Sequence, residues 1–264
     1  YQDARFMLVA TPSGVTLAPE GGAHQSIGTP LIGMSQDRLA YFEPAFVDEL
    51  AVIMQFGFEF MQNDGSENEG GDNCLDDSTG GSVYLRLSTR PLEQISRNIS
   101  SELKSDIING AYWLRRPGPN ARAVIAYTGA LAPEAIKSVG LMGEDMRDIG
   151  ILAITSADRL SGGWSAAQKR RQNGNKQALS HIERLFSGLP QGASLITVCD
   201  AHPTTLSWLG SVMGNRTRAL GVECFGQTGT ISELYRYYGI DAQGIIKAVE
   251  EIAPGRPVRL VNYA

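Results

Sequence analysis

The chain has 264 residues, 42% of them apolar, enough for a packed core in one to two domains at ~150 residues each. Its 23 Lys plus Arg against 28 Asp plus Glu leave a formal charge of −5, so no basic field exists to gather nucleic acid or an anionic membrane. No run approaches the ~18 apolar residues of a membrane span and no basic-then-apolar leader is present, so a soluble globular protein is expected, with no nucleic acid or membrane partner.

Tyr1 to Val9 opens without Met and reads as the middle of a folded unit, as in a fragment or processed chain. Residues 44 to 62 place Phe46, Leu50, Ile53, Met54, Gly57, Phe58 and Met61 at helical spacing, which predicts an amphipathic helix with Pro44 in its first turn. Ten acids and no base lie between Arg38 and Arg86, and 63 to 81 is rich in Gly, Asn and Asp, so an acidic, mobile, protease-sensitive surface loop is expected. Asp64, Ser66 and Asn68 have calcium-loop spacing, but Glu69 and Leu75 replace the turn glycine and the bidentate carboxylate, and no metal site is expected. Ser82 to Ser88 predicts a strand, and Pro91 to Asp106 a polar connector with a domain boundary near Ser105.

Beyond it, apolar runs at 110–114, 123–127, 149–155, 194–199 and 219–223 alternate with helix-length segments, the pattern of a mostly parallel sheet wrapped by helices. Lys169, Arg170, Arg171 and Lys176 read as a solvated helix face. Cys74, Cys199 and Cys224 are odd in number and fit no paired spacing, which supports neither a disulfide framework nor a zinc cluster and fits a reducing, cytoplasmic setting. Cys199 and Cys224 are expected to be buried packing thiols.

Three histidines narrow the search for acid and base chemistry. His181 falls in an amphipathic helix and reads as a packing or surface residue. His202 follows a strand, where loops of α/β sheets carry sites. His24 lies behind Gly21-Gly22, four residues after Glu20, where the backbone can approach a ligand and an imidazole can donate a proton near neutral pH. A proton donor and an exposed histidine in a glycine turn both fit this composition. Phosphate-loop spacing and a G-x-S-x-G elbow are absent, so neither nucleotide hydrolysis nor a serine nucleophile is indicated.

The stretch Glu20-Gly21-Gly22-Ala23-His24-Gln25-Ser26-Ile27 resembles the histidine loop of the thiamine-diphosphate-dependent transketolase superfamily. Val124 to Ala130, the 133–141 helix and Ile151 to Ala157 are similar to the first strand, helix and second strand of its C-terminal domain. Cys224 to Thr230, Glu233-Leu234-Tyr235 and Tyr238 to Ala242 resemble that domain's closing segment. The implied fold is α/β: part of a pyrimidine-binding domain over 1–105, then a transketolase C-terminal-like domain over 106–264 with a mostly parallel sheet flanked by helices.

Tyr41 to Met54 is most similar to the decarboxylating component of homodimeric-type pyruvate dehydrogenases. Transketolases carry an Arg-Pro-Ala-Asp type segment here, whose arginine grips a sugar phosphate. Phe42-Glu43-Pro44-Ala45 lacks it, and an apolar ring beside a carboxylate is expected to repel a phosphate, which favours a 2-oxo acid. The family's diphosphate and magnesium motif and its cofactor-activating glutamate have no counterpart in this sequence. The resemblance therefore implies thiamine diphosphate and Mg2+ in a complete enzyme, and none bound to this chain alone, which would be inactive by itself.

It further implies a homodimer or a companion subunit carrying the diphosphate-binding domain, and a lipoyl-bearing acyltransferase as acceptor. By the same resemblance His24 is catalytic, binding the substrate's carboxylate or carbonyl oxygen and relaying a proton, while Glu20 and Gln25 orient its imidazole or a water. A transketolase-like ketol transferase and a non-catalytic dimerisation or partner-docking module are the alternatives.

Overall fold

Short runs of largely apolar residues become strands, mostly parallel, and the chain builds two sheets from them. The computed structural model describes residues 4–65, 75–143, 146, 148–224 and 226–253. In the first sheet β1 (Met7–Ala10), β2 (Leu39–Phe42) and β3 (Ser82–Arg86) are parallel, in the order β1-β3-β2. In the second, β4 (Ala111–Arg115), β5 (Ala123–Thr128), β6 (Gly150–Ile154), β7 (Ser194–Val198) and β8 (Thr217–Leu220) run in the order β4-β6-β5-β7-β8, with β4 antiparallel to β6 and the rest parallel. Helices α1 (Thr29–Met34), α2 (Val47–Phe60), α3 (Ser101–Asn109), α4 (Ala132–Leu141), α5 (Ala157–Gln172), α6 (His181–Phe186), α7 (Thr204–Ser207), α8 (Gly210–Met213), α9 (Ile231–Tyr237) and α10 (Ala242–Ile252) fill the connections.

Side-chain alternation divides the second sheet's core into two layers. Ile125, Tyr127, Ile151, Ala153, Ile196 and Val198 face one layer, shared with Ala135 and Val139 of α4 and Ile245 and Val249 of α10. Val124, Ala126, Leu152, Ile154 and Leu195 face the other, beneath Leu160 of α5 and Ile182 and Phe186 of α6. Each such fully buried aliphatic or aromatic side chain contributes about 1.5–3 kcal/mol, so both layers favour docked helices.

The segment after β6 joins the sheets by satisfying the edge of β2. Glu43 N donates to Thr155 O at 2.7 Å, Ser156 Oγ donates to Tyr41 O at 2.5 Å, and Tyr41 N donates to Asp158 Oδ2 at 3.2 Å. Edge groups that would otherwise seek a further strand are thereby closed by the other half of the molecule.

Several elements differ from the sequence expectation. The α2 helix begins at Val47, and Pro44 lies outside it, because the Glu49 carboxylate accepts from both Ala45 N (2.7 Å) and Phe46 N (3.0 Å) and fixes the start there. Phe58, placed on the apolar stripe, is over half exposed. The end of the connector expected over 91–106 is helical: α3 is capped by Ser100 and packs against both α2 and β4. The last strand starts at Thr217, ahead of its apolar run, and Cys224 is exposed in the turn that follows it; Cys199 is buried.

Residues 66–74 of the acidic segment, with Cys74 and the calcium-spaced Ser66 and Asn68, lie outside the described residues. Its described flank is tied down: Arg159 pairs with both oxygens of Asp77 (2.8 and 2.7 Å), and Arg38 donates to Thr79 O and Gly80 O. Among the described residues no helix is long and apolar enough to cross a membrane.

Candidate active site

Parallel strands deliver their carboxyl ends to one side of a sheet, where loops are free to carry chemistry. Here the carboxyl ends of β2, β3, β5 and β7 meet where the two sheets join, and the loop between β1 and α1 lies over that joint. Its outer turn is a 3-10 helix, Ala18–His24, broken by Gly21 at φ +71°. A Cβ at Gly21 would approach the Thr228 side chain to 3.3 Å, so glycine serves both the left-handed backbone and the close approach.

His24 and Glu20 are exposed on this turn and make no side-chain hydrogen bond among the described residues. Gln25 is half-buried and fully engaged. Its Nε2 donates to Gln227 O and its Oε1 accepts from Gly226 N, both at 2.8 Å. Gln25 therefore pins the turn to the segment ahead of α9 and makes no hydrogen bond to the imidazole. His202 also holds the loop, through its backbone: its N–H donates to Ile27 O at 2.9 Å. His181 lies elsewhere, its Nε2 donating to Ala111 O at 2.7 Å, and burial holds its pKa below the usual imidazole value.

Beneath the loop is a buried polar cluster that sequence reasoning missed. Arg86 Nη1 donates to Glu43 Oε1 at 2.6 Å, with Tyr41 Oη donating to Glu43 Oε2 at 2.5 Å. Arg86 Nη2 donates to Ser26 O (2.9 Å) and Asp200 O (2.7 Å). Asp200 Oδ1 accepts from Val15 N at 2.9 Å and Oδ2 from Tyr235 Oη at 2.8 Å. Burial pushes the Asp200 carboxyl up to about 6, against the opposing pull of Arg86 and Val15 N, and drives the Cys199 thiol upward into an inert state. The detectable signal was one charged residue, Arg86, ending a fully buried strand, and one acid, Asp200, two residues past the end of another.

This cluster corrects the specificity argument made from Phe42 and Glu43. Both side chains are buried, and Glu43 is neutralised by Arg86, so neither presents a ring or a charge to an incoming phosphate.

No group of three His, Cys, Asp or Glu among the described residues converges for a metal ion.

No protein-family model matches the chain. In sequence it is similar to the pyruvate dehydrogenase E1 component of Mycolicibacterium smegmatis, 25% identical over 250 residues, covering 92% of this chain and 25% of that protein. The same component of Buchnera aphidicola subsp. Baizongia pistaciae is 24% identical over 259 residues, covering 94% and 27%. The chain thus spans about a quarter of the length of these relatives. Among solved structures it resembles transketolase from Leishmania mexicana, with a TM-score of 0.68 at 15% identity over 96% of this chain and 32% of that one. A split-gene transketolase, solved as an inactive beta4 tetramer, superposes with a TM-score of 0.58 at 15% identity over 93% and 65%. By fold the chain is transketolase-like, and in sequence it is similar to pyruvate dehydrogenase E1 components.

Proposed function

We propose that this chain is one portion of an enzyme that decarboxylates a 2-oxo acid with thiamine diphosphate and Mg2+ and passes the acyl group to a lipoyl-bearing acyltransferase. The observation that carries the reading is an exposed imidazole, His24, on a turn fixed at both ends over the joint of a transketolase-like fold whose sequence relatives are pyruvate dehydrogenase E1 components. In this reading His24 donates a hydrogen bond or proton to the substrate's carboxylate or carbonyl oxygen as charge develops there. Glu20, four residues earlier on the same turn, is the nearest acid in sequence to tune that imidazole, whereas Gln25 acts by holding the turn.

The pyrimidine-binding part is assigned to residues 1–105 and the C-terminal-like domain to 106–264. A homodimer or companion subunit carrying the diphosphate-binding domain supplies the remaining cofactor contacts. Calorimetry tests this allocation. The 264-residue chain is expected to bind no thiamine diphosphate in the presence of Mg2+, since a diphosphate gains little without a metal or converging donors to offset its desolvation. Micromolar binding by this chain alone would overturn it.

Ketol transfer is the second reading, favoured by the structural likeness to transketolases. With Phe42 and Glu43 buried, the choice of a 2-oxo acid over a sugar phosphate rests on the sequence relatives and on the missing arginine.

A further inference from the structure

The loop between β1 and α1 is closed on itself at its base. Ser26 N donates to Gly14 O at 3.0 Å in an isolated antiparallel bridge, so Val15 to Gln25 form a ring with one neck. His24 stands two residues from that neck. Whatever fixes the neck fixes where the imidazole can be.

Two buried charged residues hold the neck, one from each sheet. Asp200, after β7, takes the N–H of Val15 on one side. Arg86, ending β3, donates a hydrogen bond to the carbonyl of Ser26 on the other and reaches the carbonyl of Asp200 with the same nitrogen. A Cβ at Gly14 would lie 2.0 Å from Asp200 Oδ1, and its φ of +54° is left-handed, so the loop backbone approaches this carboxylate as closely as glycine permits. The arrangement is an inefficient way to gain stability. Burying Arg86, Glu43 and Asp200 costs desolvation, and Arg86 Nε has no partner in the interior. An apolar plug of similar volume would avoid both costs, but would offer nothing to Val15 N or Ser26 O.

We propose that Asp200 and Arg86 are positioning residues for the His24 loop, gripping its neck at Val15 and Ser26 so that the imidazole is placed by the joint between the two sheets. The role in catalysis rests on the reading of His24 given above; the anchoring does not. Tyr235 completes the grip on Asp200 from α9, and Glu43 completes that on Arg86 from the end of β2.

Hydrogen exchange of the 264-residue chain, resolved by peptide and read beside the side-chain NMR signals of its three histidines, tests the anchoring. In Asp200→Ala, amides from Val15 to Ser26 are expected to exchange at least tenfold faster and the His24 signal to shift toward that of a free histidine, while β5 and β6 keep wild-type protection. Asp200→Asn, whose amide oxygen still accepts from Val15 N, is expected to restore the loop to within about threefold of wild type. Arg86→Lys, which keeps the charge but not the two-carbonyl reach, is expected to free the Ser26 side with β3 still protected, and it answers the same question if Asp200→Ala fails to fold. Unchanged exchange in both Asp200→Ala and Arg86→Lys would overturn the proposal, as would equal loosening of the loop and of β5 and β6. Full activity of His24→Ala in the assembled enzyme, together with a freed loop in Asp200→Ala, would remove the catalytic reading and leave the anchoring supported.

Discussion

A histidine without packing or hydrogen-bond partners can be removed at little cost to the fold. His24 is exposed, whereas truncating a large buried side chain typically costs about 2–5 kcal/mol, so His24→Ala is expected to melt within a degree or two of wild type. Glu43 is the opposite case. Removing it leaves Arg86 buried without its ion-pair partner, and Glu43→Ala is expected to lose about 3–5 kcal/mol in urea unfolding. A loss below ~1 kcal/mol would mean that water reaches Arg86. These two residues also show what was legible at this scale. The glycine turn advertised His24, since the positive φ of Gly21 favours glycine there. The partner of Glu43 was not legible, because Arg86 lies 43 residues away and only the parallel pairing of β2 with β3 brings the two together.

At the scale of elements, the start of α5 does for β2 what a further strand would do. Asp158 accepts the Tyr41 N–H there, and burial pushes its carboxyl up to about 6. The sign follows from linkage. Between the ordinary carboxylate value near 4 and about 6, the folded state holds a proton that the unfolded state has lost, so this group's contribution to stability falls as pH rises through that window. Asp158→Asn, which cannot titrate, should therefore gain on wild type between pH 5 and pH 7 by on the order of 1 kcal/mol. Chemical unfolding of both proteins at the two pH values measures it, and a constant difference would show that Asp158 titrates normally.

The strands buried on both faces, β5, β6 and β7, were legible as continuous apolar runs. The start of β8 was not: it is an edge strand with Thr217 and Arg218 at its head, and among the described residues no strand pairs with its outer side. The first residue of α2 was equally hidden, since a carboxylate within the helix, Glu49, rather than Pro44, sets it.

At the scale of the whole molecule, the proposed function is a division of labour. In that proposal this chain offers an imidazole on an anchored turn, and the polypeptide that completes the enzyme holds the diphosphate and its metal. The most direct test is release of carbon dioxide from carboxyl-labelled pyruvate by the assembled enzyme, measured for wild type and His24→Ala preparations of matched melting temperature. If the imidazole acts as charge develops on the substrate oxygen, its loss lowers turnover by ~10²-fold or more, with a smaller change in substrate binding. Wild-type rates in His24→Ala, or an assembled enzyme that leaves pyruvate untouched while turning over a ketose phosphate, would contradict the account.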